Sequence, residues 1–229
     1  MYGFSTDFFV LFLAAHAGFD LVISVFLILN RGFFYNIHSG EAENTVNLSN
    51  KITLFRITML PFLIFLIYAS RKQSIGPALV IFIALTFLSD FVDGRLARAK
   101  NLETYMGTIL DSASDYLVLG AIAATLCFFR LIKTWLFLFI AGRLFIHSLG
   151  MMILYFVRKK LSPQTTILGK VTIAVIMVFL VFESVALFLG RPLWMNYAEI
   201  AVGAVIFLSI IDKVVYFAKN LVFCLNQRP

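Results

Sequence analysis

The stretch Ser89-Asp90-Phe91-Val92-Asp93-Gly94-Arg95-Leu96-Ala97-Arg98, continued by Gly107, Asp111 and Asp115, sets four aspartates within 26 residues of an otherwise apolar chain. At helical periodicity Asp90 and Asp93 share a face with Ala97, and Gly107, Asp111 and Asp115 follow one another at one-turn spacing on the next helix. A turn near Lys100 or Asn101, with Asn101 as helix cap, puts Asp90 and Asp111 level, each about 16 Å from the turn at 1.5 Å per residue. Asp93 then sits lower and Asp115 one turn higher. An antiparallel helix pair of this kind gathers four carboxylates around one small volume.

The surroundings of that stretch decide the medium. The 229 residues are 61% hydrophobic and only 14% charged, and the mean hydropathy is +0.95; a soluble domain is excluded. Apolar runs cover Phe8 to Leu29, Ile52 to Ala69, Ile75 to Ser89, Tyr105 to Phe129, Trp135 to Val157, Ile167 to Leu189 and Tyr197 to Phe217. Most approach the roughly 20 residues that span hydrocarbon. The expected fold is all-α, a polytopic membrane bundle of about seven helices. The third run is short, but Pro77 suits a first helical turn and the helix can continue through Asp90 beyond the bilayer. Residues 1–49 read as an N-terminal transmembrane helix with a polar connection, and 50–229 as the main domain. Asp7 precedes the first run without a basic residue, and His16 and Asp20 lie inside it, which fits a retained helix rather than a signal peptide.

The formal charge of +7 points to topology signals and anionic lipid. No basic stripe or zinc-finger spacing supports nucleic-acid binding. With Lys51 inside, the cytoplasmic ends collect Arg31, Lys51, Arg56, Arg95, Arg98, Lys100, Arg158, Lys159, Lys160, Lys170, Lys213, Lys219 and Arg228. The opposite ends hold only Arg71, Lys72, Arg130, Lys133 and Arg191. The N-terminus is therefore expected outside and the C-terminus inside. Cys127 and Cys224 are too few for a disulfide framework or a structural zinc site.

Four ionised carboxylates at a membrane interface repel one another and resist desolvation unless compensated. Two divalent cations balance four negative charges, and hard oxygen donors suit Mg²⁺ or Mn²⁺. Such a metal pair can clamp a phosphoryl group. Gly94, Ala97 and Gly107 leave the helix faces bare, which admits a nucleotide or simply lets helices pack closely. A satisfied polar network or an ion path is the competing reading of the acids.

From Asp90 to Asp115 the pattern is Asp, two residues, Asp-Gly, two residues, Ala-Arg, eight residues, Gly, three residues, Asp, three residues, Asp. It resembles, without a departure, the signature of the CDP-alcohol phosphatidyltransferase family. The similarity extends from about Asn50 to Phe217, a six-helix core with the first helix as an addition. The resemblance implies transfer of a substituted phosphate from a CDP-linked alcohol to an acceptor hydroxyl, with CMP released. It implies that Asp90, Asp93 and Asp111 hold metal, that Asp115 acts as base while contributing to the metal site, and that Gly94, Ala97, Arg98 and Gly107 line the nucleotide path. Asn50-Lys51-Ile52-Thr53-Leu54-Phe55-Arg56 with Pro61, and Gly169-Lys170-Val171-Thr172, look like elements of phosphatidylglycerophosphate and cardiolipin synthases.

Arg143, in the middle of an apolar run, must face protein or a polar cavity. Its context resembles an Arg-Glu or Arg-Asp element of those synthases, with Leu144 in place of the acid. Arg143, Lys170 and Lys160 are candidates for an acceptor-phosphate pocket; a structural pairing of Arg143 with Glu183 is the alternative. Lys159 reads as positive-inside charge, and His16, His38 and His147 as structural or solvent-facing. The expected donor is CDP-diacylglycerol and the first acceptor a small phosphorylated alcohol, glycerol 3-phosphate. Cardiolipin, phosphatidylinositol phosphate, phosphatidylserine or phosphatidylcholine synthesis remain open, as does donation from CDP-choline or CDP-ethanolamine to diacylglycerol. Expected partners are membrane lipids, and a homodimer is compatible with the bundle. A transporter or a noncatalytic scaffold is the competitor of another class; the sequence has no obvious inverted repeat. The expected setting is a bacterial inner membrane with the site facing the cytoplasm.

Overall fold

The computed structural model describes residues 6–36, 41–42, 46–70, 75–99, 104–158 and 166–226, with side chains at all of these except 6, 8, 90–99, 155–156, 158, 187–188 and 223–226. The helices are α1 (Thr6–Leu29), α2 (Leu48–Thr58), α3 (Leu60–Ser70), α4 (Gly76–Ala99), α5 (Tyr105–Phe128), α6 (Thr134–Arg158), α7 (Ile167–Leu189) and α8 (Trp194–Asn226). Among the described residues five helices are long and apolar enough to cross a membrane, or six when α2 and α3 count as one bent span. The protein is thus an all-α, multi-pass membrane bundle. Large apolar side chains such as Leu21, Val22, Leu138, Phe145 and Phe207 stay exposed on the helices, as lipid-facing surfaces require.

One expectation about the helices changes and one is met. The run from Ile52 to Ala69 is broken by 41° between α2 and α3. Pro61 has no N–H for the Ile57 carbonyl, so the helical ladder is interrupted there. The third run is a short apolar helix over Gly76–Ser89, and α4 continues it through Asp90 to Ala99.

The chain divides into two compact units, Met1–Ala121 and Ile122–Pro229. In the first, α1 packs on α2 and α3, and α4 packs on α2 and α3. Leu63 and Ile67 of α3 and Leu79 and Ile83 of α4 are fully buried. Phe19, Ile23 and Leu27 of α1 lie against a core of Ile57, Met106 and Leu110. The connection after α1 returns to the start of α5: the Tyr105 N–H donates to the Tyr35 carbonyl at 3.1 Å, and the two rings stack with centroids 5.2 Å apart. Asn47 caps α2, its side chain accepting from the Asn50 N–H at 2.9 Å.

In the second unit α8 packs on both α6 and α7. Glycines let α6 and α8 approach closely: the Phe217 ring fills the place of a side chain at Gly150, and Trp135 does the same at Gly203. Thr166 caps α7 by accepting from the Gly169 N–H at 3.1 Å. Gly190, at φ 84°, ends it in a conformation that favours glycine.

Between α7 and α8, Arg191 spans two fully buried carboxylates, Nη2 standing 2.8 Å from Glu183 and 3.1 Å from Glu199. Its Nη1 donates to Asn196 at 2.9 Å, and the Lys133 N–H donates to Glu199 at 2.7 Å. The hydrogen bond to Glu183 raises the affinity of Arg191 for its proton; burial opposes this and Glu199 adds to it.

Candidate functional site

The helix that carries two of the four aspartates begins at Tyr105, where the apolar pattern starts. Its capping bond comes from Thr104, whose Oγ1 accepts from the Gly107 N–H at 3.0 Å; Asn101 lies outside the described residues. Thr104 Oγ1 also accepts from Asn50 Nδ2 at 2.8 Å, tying α2 to the start of α5.

One-turn spacing then brings Asp111, Ser114 and Asp115 to one face of α5, and the residue they meet is Arg56 of α2. Arg56 Nη2 lies 3.3 Å from Asp111 Oδ1 and 3.3 Å from Asp115 Oδ1. Its Nε donates to Ser114 Oγ at 2.6 Å. Arg56 is 4% exposed, so its charge is compensated inside the bundle by carboxylates rather than by water. Asp111 keeps 46% of its side chain exposed and Asp115 19%. The two acids therefore converge on one cationic nitrogen while retaining an open side. In the sequence Arg56 reads as a topology charge and as the last residue of the family-like element Asn50 to Arg56; its place in the ninth position of α2, behind the Asn47 cap, makes it a site residue.

Asp90, Asp93, Gly94, Ala97 and Arg98 all belong to α4, which packs against the helix that carries Arg56. Their side chains lie outside the described residues, as does Lys160. Gly107 is buried, and a Cβ there would overlap the Asn50 carboxamide oxygen and stand 2.7 Å from Thr104 Oγ1. Its bareness serves the Asn50–Thr104 bond.

In the second unit Arg143 is 2% exposed. Its Nε donates to Ser209 at 3.2 Å and its Nη2 to the Gly169 carbonyl at 2.7 Å. The alternative pairing with Glu183 is replaced: Glu183 is held by Arg191. Lys170 is exposed. A lysine that was counted as a topology charge, Lys213, is instead 1% exposed within the bundle. His147 packs its ring 5.7 Å from Phe217, and His16 sits 3.5 Å from Asp20 on α1. A groove of about 520 Å³ lined by Trp135, Phe139, Ile200, Gly203 and Phe207 is apolar and holds none of the aspartates.

A family model described as CDP-alcohol phosphatidyltransferase matches residues 46–215, which include Arg56, all four aspartates, Arg143 and Lys213. The chain is 28% identical over 195 residues to a CDP-diacylglycerol–glycerol-3-phosphate 3-phosphatidyltransferase of Bacillus subtilis, covering 76% of this chain and 95% of that one. It is 34% identical over 160 residues to the protein of the same name in Escherichia coli K12, covering 68% and 84%. A Drosophila melanogaster protein named "Probable cardiolipin synthase (CMP-forming)" is 27% identical over 177 residues, and there the chain spans 51% of the relative's length.

Proposed function

The chain belongs to the CDP-alcohol phosphatidyltransferase family, and on that premise we propose that it transfers a phosphatidyl group from CDP-diacylglycerol to an acceptor hydroxyl, glycerol 3-phosphate first, releasing CMP. The observation that carries this reading is the convergence of Asp111 and Asp115 on Arg56 inside the eight-position motif. It is supported by the relatives of Bacillus subtilis and Escherichia coli, whose names specify glycerol 3-phosphate.

The donor set fits the metal that the family implies. Two carboxylates one turn apart meet at a single cationic point with oxygen ligands only, and Asp111 remains accessible; hard divalent ions take such donors. Asp90, Asp93, Asp111 and Asp115 are the proposed ligands of two Mg²⁺ or Mn²⁺ ions, which supply charge stabilisation for a phosphoryl group when bound.

Asp115 offers a carboxylate oxygen to the acceptor hydroxyl and takes its proton. The freed oxygen forms a bond to the lipid-linked β-phosphorus, and the bond from that phosphorus to the bridging oxygen breaks, so CMP leaves with the electron pair. Arg56 fixes the rotamers of Asp111 and Asp115 through Ser114 and its paired contacts, keeping the proton acceptor placed before substrate arrives. Gly94, Ala97, Gly107 and Arg98 line the proposed nucleotide path, and Arg143, Lys170 and Lys160 the proposed acceptor pocket. Membrane lipid supplies the donor, and the proposed setting is a bacterial inner membrane with the site on the cytoplasmic side.

The test is a panel of CDP-linked donors with radiolabelled acceptors, read by lipid product and CMP. CDP-diacylglycerol with glycerol 3-phosphate should give phosphatidylglycerophosphate and equimolar CMP. Turnover only with diacylglycerol as acceptor overturns the donor assignment, and solute movement without CMP overturns the enzyme.

A further inference from the structure

The match to the family begins at residue 46, yet the first turn of α5 is held from outside it. A helix start leaves N–H groups without an intrahelical acceptor, and each needs a partner from elsewhere. At α5 the Gly107 N–H is taken by Thr104 Oγ1. The Tyr105 N–H is taken by the Tyr35 carbonyl at 3.1 Å, in the connection that follows α1. Asn36 pairs with Thr104 in an antiparallel backbone bridge, and Tyr35 pairs with Ala42 in another. The Asn36 N–H donates to the Glu41 carbonyl at 2.9 Å, so the connection is itself tied where it meets α5.

Side chains repeat this hold. The Tyr35 and Tyr105 rings stack within 11° of parallel, and the Phe33 ring lies 5.9 Å from Tyr105. Phe34 joins Phe19, Ile23 and Leu27 of α1 against Ile57, Met106 and Leu110, which anchors the connection to the first unit. Thr104, 1% exposed, also accepts from Asn50 of α2. The turn is thus gripped by α2 within the matched region and by the added segment outside it. Asp111 and Asp115 have a further restraint in Arg56, one and two turns on from Gly107. The opening turn of α5, where the proposed nucleotide path begins, has no contact with that guanidinium and depends on its own two holds.

We propose that Tyr35, in the segment that precedes the matched core, is a positioning residue for the donor: through Tyr105 and Thr104 it fixes the first turn of α5 against the nucleotide path. This rests on the function proposed above, because the donor nucleotide is the ligand whose site the turn borders. Tyr35 touches no reacting atom. Its contribution is to have the turn in place before the donor binds, so that binding does not have to order it.

The test uses the full chain, comparing the parent with Tyr35→Ala, which removes the stacked ring and leaves the backbone bond, and with Tyr35→Phe, which keeps the ring. Amide hydrogen exchange without substrate reads the hold itself. The first turns of α5 should exchange faster in Tyr35→Ala and at the parental rate in Tyr35→Phe. Equilibrium binding of short-chain CDP-diacylglycerol with Mg²⁺ in detergent reads the consequence. Tyr35→Ala should raise the donor Kd about two- to tenfold, the factor to which loss of an aromatic pair corresponds, while the glycerol 3-phosphate KM stays parental and Tyr35→Phe restores the donor Kd. Phe33→Ala should act in the same direction and serves if Tyr35→Ala does not assemble. Unchanged exchange at α5 overturns the hold. Faster exchange with a parental donor Kd, or a deficit that Tyr35→Phe shares, overturns the positioning role. CMP release separates the two readings. Tyr35-dependent binding of CDP-diacylglycerol without glycerol 3-phosphate turnover removes the proposed function and keeps the positioning role. Normal turnover with a parental donor Kd in Tyr35→Ala does the reverse, and a parent that binds no CDP-diacylglycerol overturns both.

Discussion

Arg56 Nη2 stands 3.3 Å from Asp115 Oδ1, so the carboxylate assigned the acceptor proton is positioned by a buried guanidinium from another helix. Arg56→Gln should release both Asp111 and Asp115 from their shared contact. Charged hydrogen bonds of this kind contribute about 1.5–3 kcal/mol. Thermal unfolding in EDTA should show the loss, and excess Mg²⁺ should recover part of it, because the divalent charge replaces the missing cation. A deficit that Mg²⁺ leaves unchanged argues that Arg56 is structural alone.

Metal dependence is the second expectation. Activity should vanish in excess EDTA and return with Mg²⁺ or Mn²⁺. Asp93→Asn and Asp111→Asn should abolish turnover while circular dichroism shows the helices retained. Full activity of metal-free protein would falsify the two-ion reading.

Gly107 distinguishes packing from nucleotide contact. Gly107→Ala should overlap the Asn50 carboxamide and cost about 1–3 kcal/mol of stability as overpacking. Asn50→Ala in the same chain should recover part of this, giving a coupling energy in a double-mutant cycle. Additive losses in that cycle, with a raised donor KM, would instead point to the nucleotide path.

Ala97→Leu probes α4 directly. It adds a large apolar side chain on the proposed nucleotide path, so binding of CDP-diacylglycerol in detergent should fall while the fold persists. Equal affinity in parent and variant rejects that path.

The clamp between α7 and α8 predicts a stability effect remote from turnover. Arg191→Met leaves Glu183 and Glu199 buried without their guanidinium, and removing one partner of such a pair typically costs about 3–5 kcal/mol. Adding Glu183→Gln should restore much of the melting temperature.

The aspartates were legible in the sequence because charge inside a membrane helix is expensive and their spacing follows the helical turn. Arg56 and Lys213 were not. Arg56 stands near the end of α2 and Lys213 near the end of the apolar run Tyr197 to Phe217, where a basic residue reads as an orientation signal, and only the tertiary fold reveals their burial. Glycines were visible as glycines, but their purpose depended on the partner: Asn50 for Gly107 and Lys213 for Gly169. The α2–α3 break was announced by Pro61, yet the continuous apolar run concealed it. The capping residue of α5 was misplaced because Asn101 and Thr104 both suit a cap, and the bond to Gly107 selects Thr104.

Trp135 at Gly203 and Phe217 at Gly150 bracket the Arg143–Ser209 contact between α6 and α8, in the same order along both helices. A slip of one residue, about 1.5 Å, would drive both rings out of their hollows together. Shape at two separated points therefore sets the register of α6 against α8, and the polar contact between them is left free of that task.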